Sequence, residues 1–310
     1  MIGLKTAKGQ IRQHVINPAM KVGLRTMMST VQHVAAIFPH NDNDTTYTLP
    51  AYAEAVQSRE SLSSFAMPPE EFRASYCTSD KTYLASGRDD TANLRKLLRE
   101  SGVSIEKVGR ILELGVAGGR LIRHLADLAD TQEIWGVDCW ASAILWCKEH
   151  LSPPFHFATT TITPHLPFED QSFGLVFAGS VWTHIDDLAE AWALEARRIL
   201  RPEGRLYFTI NDRSAVKFFQ GGCSEENRKR YIERIRPDGW AAWLKFLDNQ
   251  PGYQRFARGD CQMVAMGRST QAHVMWDADY LINRFGPGWR VCSITPEAYG
   301  HQTGILLSKQ

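Results

Sequence analysis

The sequence predicts an α/β fold built on a doubly wound, mostly parallel sheet. Three observations predict it. From residue 111 onward, strand-length apolar runs alternate with helix-length amphipathic runs. The first such strand leads straight into a glycine turn, Gly115-Val116-Ala117-Gly118-Gly119. The chain then ends in two alternating runs, 289–296 and 303–308, that read as a closing hairpin.

The elements follow in order. Residues 41–64 are rich in Asn, Asp, Thr, Ser and Pro and read as a loop with one short helix near 51–60. Asp89-Asp90-Thr91 offers a helix N-cap, Leu94, Leu97 and Leu98 share one face, and Gly102 closes the helix. Strands are expected at 111–114, 134–137, 155–158, 173–178 and 205–210, with helices at 119–129, 141–151 and 186–200 between them. Asp186 or Asp187 can cap the last of these helices, and Arg201-Pro202-Glu203-Gly204 ends it in a turn. Residues 213–276 break the rhythm, with helices expected near 224–236 and 239–248 and a concentration of aromatic residues.

Composition excludes several classes of protein. The 310 residues carry 35 basic and 34 acidic side chains, a net charge of +1, so no overall basic footprint marks a nucleic-acid binder. An apolar fraction of 44% supports a sizeable core and argues against global disorder. No apolar run approaches the roughly 18–20 residues that span a bilayer. Cysteines stand at 77, 139, 147, 223, 261 and 292, none in C-x-x-C spacing. No metal site is therefore expected, and the thiols suit a reducing, cytoplasmic setting. The first 41 residues hold Lys5, Lys8, Arg12, Lys21 and Arg25 and no acid. This basic arm reads as an amphipathic helix packed on the body, as a mitochondrial-type transit segment, or as an arm for a membrane surface or other partner.

The run Ile111-Leu112-Glu113-Leu114-Gly115-Val116-Ala117-Gly118-Gly119-Arg120 carries the chemistry. A dinucleotide site wants G-x-G-x-x-G so that backbone N–H groups meet a pyrophosphate. Here those positions are Gly115, Ala117 and Arg120, and only the first is glycine. Glu113 at the strand end would repel a pyrophosphate but suits a cationic ligand. The pattern favours S-adenosylmethionine, which has a sulfonium, an ammonium and a carboxylate but no phosphate. Ala117 fits such a turn provided its φ is negative. Asp138, 23 residues beyond Gly115, can accept from two ribose hydroxyls, or cap the 141–151 helix. Cys139 and Trp140 can flank an adenine.

Five ordered segments now carry a resemblance: Glu113 to Arg120, Gly136-Val137-Asp138, Leu166 to Phe173, Ser180-Val181-Trp182-Thr183-His184-Ile185, and Leu200 to Leu206. Together they resemble the class I SAM-dependent methyltransferases. Met67 to Arg73 and Leu84-Ala85-Ser86-Gly87 are similar to the lead-in of a bacterial small-molecule branch. The resemblance covers about residues 66–308. It implies a seven-stranded Rossmann-like sheet whose last two strands form an antiparallel hairpin. The organisation expected is a basic extension and loop (1–65), a SAM-binding core with lead-in (66–212), a helical insert that can act as a lid (213–276) and a final hairpin (277–310).

The resemblance further implies that Glu113, Gly115 and Gly119, with Ala117 and Arg120 in the same run, shape the methionine end of the site. Asp138 would hold the ribose, Ile162 would lie on the adenine side, and Ser180 and Val181 would lie near the transferable methyl. Two positions depart from the family pattern besides Ala117. Thr159 to Thr163 offers no acid for the adenine amino group, and Gly174 stands where an aspartate is common. His184, after the fourth strand, is the candidate general base, or else a packing histidine for the following helix. Tyr76, Asn211, Asp212 and Tyr299, with His301, are candidates to meet the acceptor. Trp240, Trp243, Phe246, Tyr253 and Phe256 can form a lid or a small core. The activity expected is methyl transfer to a small or medium-sized acceptor, at oxygen. The alternative is a methyltransferase-like binding module without strong catalysis.

Overall fold

The computed structural model describes residues 65–73, 79–223, 225, 228–229, 232, 237–267 and 272–310. The basic arm, the 41–64 loop, Tyr76 and most of the 224–236 segment lie outside the described residues. The chain order is α1 (Asp80–Glu100), β1 (Ile111–Leu114), β2 (Ile134–Asp138), α2 (Ala141–His150), β3 (His156–Thr159), β4 (Phe173–Ala178), α3 (Ala189–Ile199) and β5 (Leu200–Ile210). It continues with α4 (Arg213–Phe219), α5 (Pro237–Asp248), α6 (Pro251–Arg258), β6 (Met263–Met266), β7 (His273–Trp276), α7 (Ala278–Phe285), β8 (Trp289–Tyr299) and β9 (Gln302–Lys309).

Seven strands form one sheet in the order β3-β2-β1-β4-β5-β9-β8. The first five run parallel, and β9 pairs antiparallel with both β5 and β8. The order reverses between β1 and β4, which opens a crevice at their carboxyl ends. Because β1 and β4 are covered on both faces, their residues are buried without alternation. Leu112, Val176 and Ala178 pack towards Ala189, Trp192 and Ala193 of α3. Ile111, Leu175 and Phe177 pack towards Leu94 and Leu98 of α1 and Ile144 of α2. The expected doubly wound, seven-stranded sheet with a closing hairpin is what the chain forms.

Several local expectations are corrected. α1 begins not at Asp89 but at Asp80, with the Ser79 hydroxyl accepting from Thr82 N at 3.2 Å. Its inner face runs through Tyr83, Ser86 and Asp90, so a purely apolar pattern starts too late. Asp90 is no cap; it is buried in an ion pair with Arg120 at 2.8 Å. The expected helix 119–129 is a 3-10 segment, Ile122–Leu128. The backbone N–H of Ile122 goes to Glu113. α3 starts at Ala189 without a side-chain cap, because Asp186 accepts from its neighbour Asp187 N instead. Residues 201–204 continue β5 as a bulge: Phe173 pairs with Leu200 and Leu175 with Arg205, with Glu203 at φ +61°. The 213–276 stretch is not purely helical. It also holds the antiparallel pair β6 and β7. α6 and α7 were not expected at all; each is short, and only one face of α7 is buried, at Leu281 and Phe285.

The glycine turn itself departs from expectation. Ala117 has φ +43°, not a negative value. Asp138 Oδ2 accepts from its N–H at 2.8 Å and the Cys147 thiol donates to its carbonyl at 3.2 Å. These contacts hold a conformation that costs an L-residue about 1–2 kcal/mol. Gly174 has a simple cause, since a Cβ there would stand 2.0 Å from the Val108 carbonyl oxygen.

Two stability predictions arise. Asp90→Ala strands the buried Arg120 charge and is expected to lose about 3–5 kcal/mol in urea unfolding; a loss under 1 kcal/mol would refute the pair's importance. Ala117→Gly relieves the positive φ but adds backbone entropy of up to about 1 kcal/mol. The expected net is a gain of roughly 0.5–1 kcal/mol by the same assay, and a net loss would contradict the strain argument.

Candidate active site

The carboxyl ends of β1 and β2 carry the glycine turn and Asp138. The Asp138 carboxylate joins them: Oδ2 accepts from Ala117 N, and Oδ1 accepts from Trp140 N at 2.9 Å. The second contact makes Asp138 a brace of the β2 turn rather than the N-cap of α2, whose cap position is Trp140. Burial pushes the Asp138 carboxyl up, and the N–H donors pull it back. Cys139 donates to the same carboxylate from its backbone N–H and its thiol. Cys139 is half-buried, its thiol pushed up to about 12 by burial and then by the Asp138 charge. The Trp140 ring meets Phe72 edge-on at 5.5 Å, and Phe72 O accepts from Gly118 N at 3.0 Å. The lead-in thus lies against the glycine turn, and a Cβ at Gly118 would strike Phe72 O at 2.6 Å.

Glu113 is buried, and its Oε2 has no hydrogen-bond partner among the described residues. Burial raises its pKa well above the ordinary carboxylate value, against the pull of Arg120. A buried acid with an unmet oxygen beside a bare main-chain turn fits a ligand that brings an ammonium. It does not fit one that brings phosphate oxygens. The donor set present therefore suits S-adenosylmethionine: Glu113 for the amino end and Asp138 for the ribose.

The remaining candidates are placed as follows. Gly115 leaves no room for a side chain, since its Cβ would meet Val181 Cγ2 at 2.4 Å, so Val181 closes over the turn from the β4 end. At Gly119 the obstacle is Leu151. Arg120 faces inward; its guanidinium is held by Asp90, Ser86 and the Tyr299 hydroxyl. Tyr299 is correspondingly buried, its hydroxyl pressed against Gly179 at the end of β4. Ile162 is exposed, in a loop where Thr163 N donates to the Thr161 hydroxyl. Asp212 caps α4, accepting from Ser214 N and Ala215 N. Asn211 is buried with its Oδ1 unmet among the described residues. His301 is buried against the Phe219 ring at 4.8 Å, and burial lowers its pKa to about 3.

One polar network was not foreseen. Ser180, at φ +60°, donates its backbone N–H to the Thr209 hydroxyl at 2.7 Å. Thr209 donates to Gln302 Oε1 at 2.6 Å, Gln302 Nε2 donates to the Ser180 hydroxyl at 2.8 Å, and Thr183 donates to Ser180 O at 2.8 Å. Its members come from β5, β9 and the β4 turn, which no local pattern links. The available signal was a lone Thr in the apolar run Leu206-Tyr207-Phe208-Thr209-Ile210.

His184 lies just beyond this network. Its Nδ1 lies 2.7 Å from the Ala272 carbonyl oxygen. A carbonyl only accepts, so Nδ1 carries the proton and Nε2 keeps its lone pair. Burial lowers the His184 pKa below its ordinary value, so the ring is neutral at pH 7. The insert is stitched to this rim. Val274 N donates to Thr183 O at 2.8 Å, and Trp276 N donates to Asn211 O at 2.8 Å. Behind β7, Phe218, Phe219, Leu247, Tyr253 and Phe256 form a third apolar cluster, against which Trp240, Trp243 and Phe246 pack. The insert aromatics thus build a small core.

Among the described residues no group of acids, histidines and cysteines is arranged to hold a metal, and no helix is long and apolar enough to cross a membrane. Residues 112–208 match a family model described as a methyltransferase domain. Solved structures similar to this chain include the PH0226 protein of Pyrococcus horikoshii OT3, at 18% identity, TM-score 0.49, covering 79% of this chain and 100% of that one. A SAM-dependent methyltransferase from Aquifex aeolicus matches at 12% identity, TM-score 0.43, covering 69% and 88%. The N-methyltransferase NodS of Bradyrhizobium japonicum, solved with S-adenosyl-L-homocysteine, matches at 14% identity, TM-score 0.41, covering 71% and 85%. Residues 112–208 thus form a methyltransferase domain on a doubly wound sheet order with an acid at each of the first two strand ends, and S-adenosylmethionine is the cofactor that this donor set suits.

Proposed function

We propose that this enzyme methylates an oxygen of a small or medium-sized molecule, with His184 as general base. The observation that carries the reading is the His184–Ala272 contact, which leaves a neutral imidazole with a free Nε2 lone pair beyond the β4 end. A neutral amine attacks with its own lone pair and sheds its proton afterwards, whereas a hydroxyl must lose its proton as it attacks and gains most from a poised base. S-adenosylmethionine, when bound, supplies a sulfonium methyl open to in-line attack. Glu113 would hold its ammonium, and Asp138 its ribose. The Ser180–Thr209–Gln302 network fixes the β4 turn against which acceptor and methyl must align, and alignment alone is worth up to about 7–11 kcal/mol. His184 Nε2 then takes the hydroxyl proton as the oxygen attacks. Asn211 and Tyr299 are read as flanking residues on the same rim, and Cys139, Trp140 and Ile162 as the adenine side.

Two measurements test this. In calorimetry, S-adenosyl-L-homocysteine is expected to bind the full chain, and Asp138→Asn to weaken it about tenfold, the loss of one charge-assisted contact. No heat at high micromolar ligand would end the reading. His184→Gln is expected to lower kcat by about 10² to 10⁴ while leaving that affinity unchanged. The base must be neutral and its pKa is lowered by burial, so wild-type kcat/KM should stay level as pH falls to about 6.5 and decline only below it. The variant should lack that decline; an identical profile would remove His184 from the mechanism.

A further inference from the structure

The rim beyond His184 holds a second imidazole that the reading above does not use. His273 opens β7, with its ring 5.7 Å from that of His184. Two aromatic residues of α5 stand beside it. Trp243 meets His273 edge-on at 4.7 Å, Phe246 meets it at 5.7 Å, and Trp243 and Phe246 stack on each other at 5.3 Å, 21° from parallel. All four side chains are half-buried. No ring nitrogen of either histidine is among the buried atoms that lack a partner. Among the described residues, the one titratable group acting on His273 is His184 itself. Among the described residues this corner therefore presents flat apolar faces and two imidazoles, with no fixed charge to pair with an ionic acceptor. Backbone bonds from β7 to Thr183 and Asn211 hold it at the carboxyl ends of β4 and β5.

We propose that His184, His273, Trp243 and Phe246 form the acceptor subsite, and that it takes an uncharged aromatic hydroxyl compound. The inference rests on the methyltransferase reading and adds a substrate class to it. The aromatic walls bind the ring by edge and face contacts, each worth more than its buried area alone. His273 is the positioning residue, holding the hydroxyl oxygen towards His184. In the reaction the acceptor O–H bond breaks and its proton passes to His184 Nε2. The oxygen forms the new bond to the methyl carbon, and the sulfur–carbon pair returns to sulfur, leaving a neutral thioether.

The test is calorimetric binding to the full chain, with and without saturating S-adenosyl-L-homocysteine, using catechol, cis-cyclohexane-1,2-diol and tyramine as probes. Catechol is expected to bind, with the saturated diol and the cationic phenol each at least tenfold weaker. Trp243→Phe and His273→Ala should each raise the catechol Kd at least fivefold and leave the S-adenosyl-L-homocysteine Kd unchanged. Trp243→Phe keeps an aromatic core, so a folded protein is available even if His273→Ala is not. Equal binding of catechol and the saturated diol, preferred binding of tyramine, or no response to either variant would overturn the subsite. Absence of catechol binding in a protein that binds S-adenosyl-L-homocysteine would overturn it too, while leaving the cofactor reading intact. Failure of S-adenosyl-L-homocysteine to bind would instead strike the methyltransferase reading itself.

Discussion

One carboxylate sets the geometry on which the rest depends. Asp138 accepts from Ala117 N in the first strand-to-helix turn and from Trp140 N in the second. Without that bridge the glycine turn would have no reason to hold an alanine at φ +43°. The turn in turn fixes where Glu113 stands, and Val181 packs on Gly115 to carry the same constraint to the end of β4. Two side chains, Asp138 and Val181, thereby tie three strand ends into one cradle. This is how a site on loops reaches the precision usually reserved for rigid elements.

The second constraint is electrostatic and lies behind the cradle. Arg120 and Asp90 form a buried pair, and the same guanidinium reaches the Tyr299 hydroxyl in the closing hairpin. It also lies close enough to pull on the Glu113 carboxyl. A helix that precedes the sheet, the first turn and the last strands are thus joined through one cation. Buried pairs of this kind add little net stability but are costly to break. Their value here is in fixing how α1 and the hairpin frame the site.

Much of this was legible in the sequence, for identifiable reasons. The strands of the parallel sheet are continuous apolar runs, and their alternation with helices leaves few topologies. The acids at Glu113 and Asp138 stand at strand ends, where one residue of register decides their position. What local patterns missed was non-local. Asp90 looked like a cap because its partner Arg120 is 30 residues away. Residues 122–128 looked like an ordinary helix from their apolar spacing, and the contact of the Ile122 N–H with Glu113, nine residues earlier, left no local sign. His273 and Gln302 carried no signal, since each meets its neighbours only when β7 and β9 arrive at the carboxyl ends of β4 and β5. Gly174 looked like a lost aspartate and proves to be a packing requirement against Val108.

The bond from His184 to the Ala272 carbonyl has a consequence beyond positioning. The tautomer of that imidazole is dictated by main chain from a different part of the polypeptide. Were the insert to detach, the ring would be free to carry its hydrogen on either nitrogen, and nothing would impose one orientation of its lone pair. The docked insert therefore sets which ring nitrogen of His184 carries its hydrogen and which keeps a lone pair.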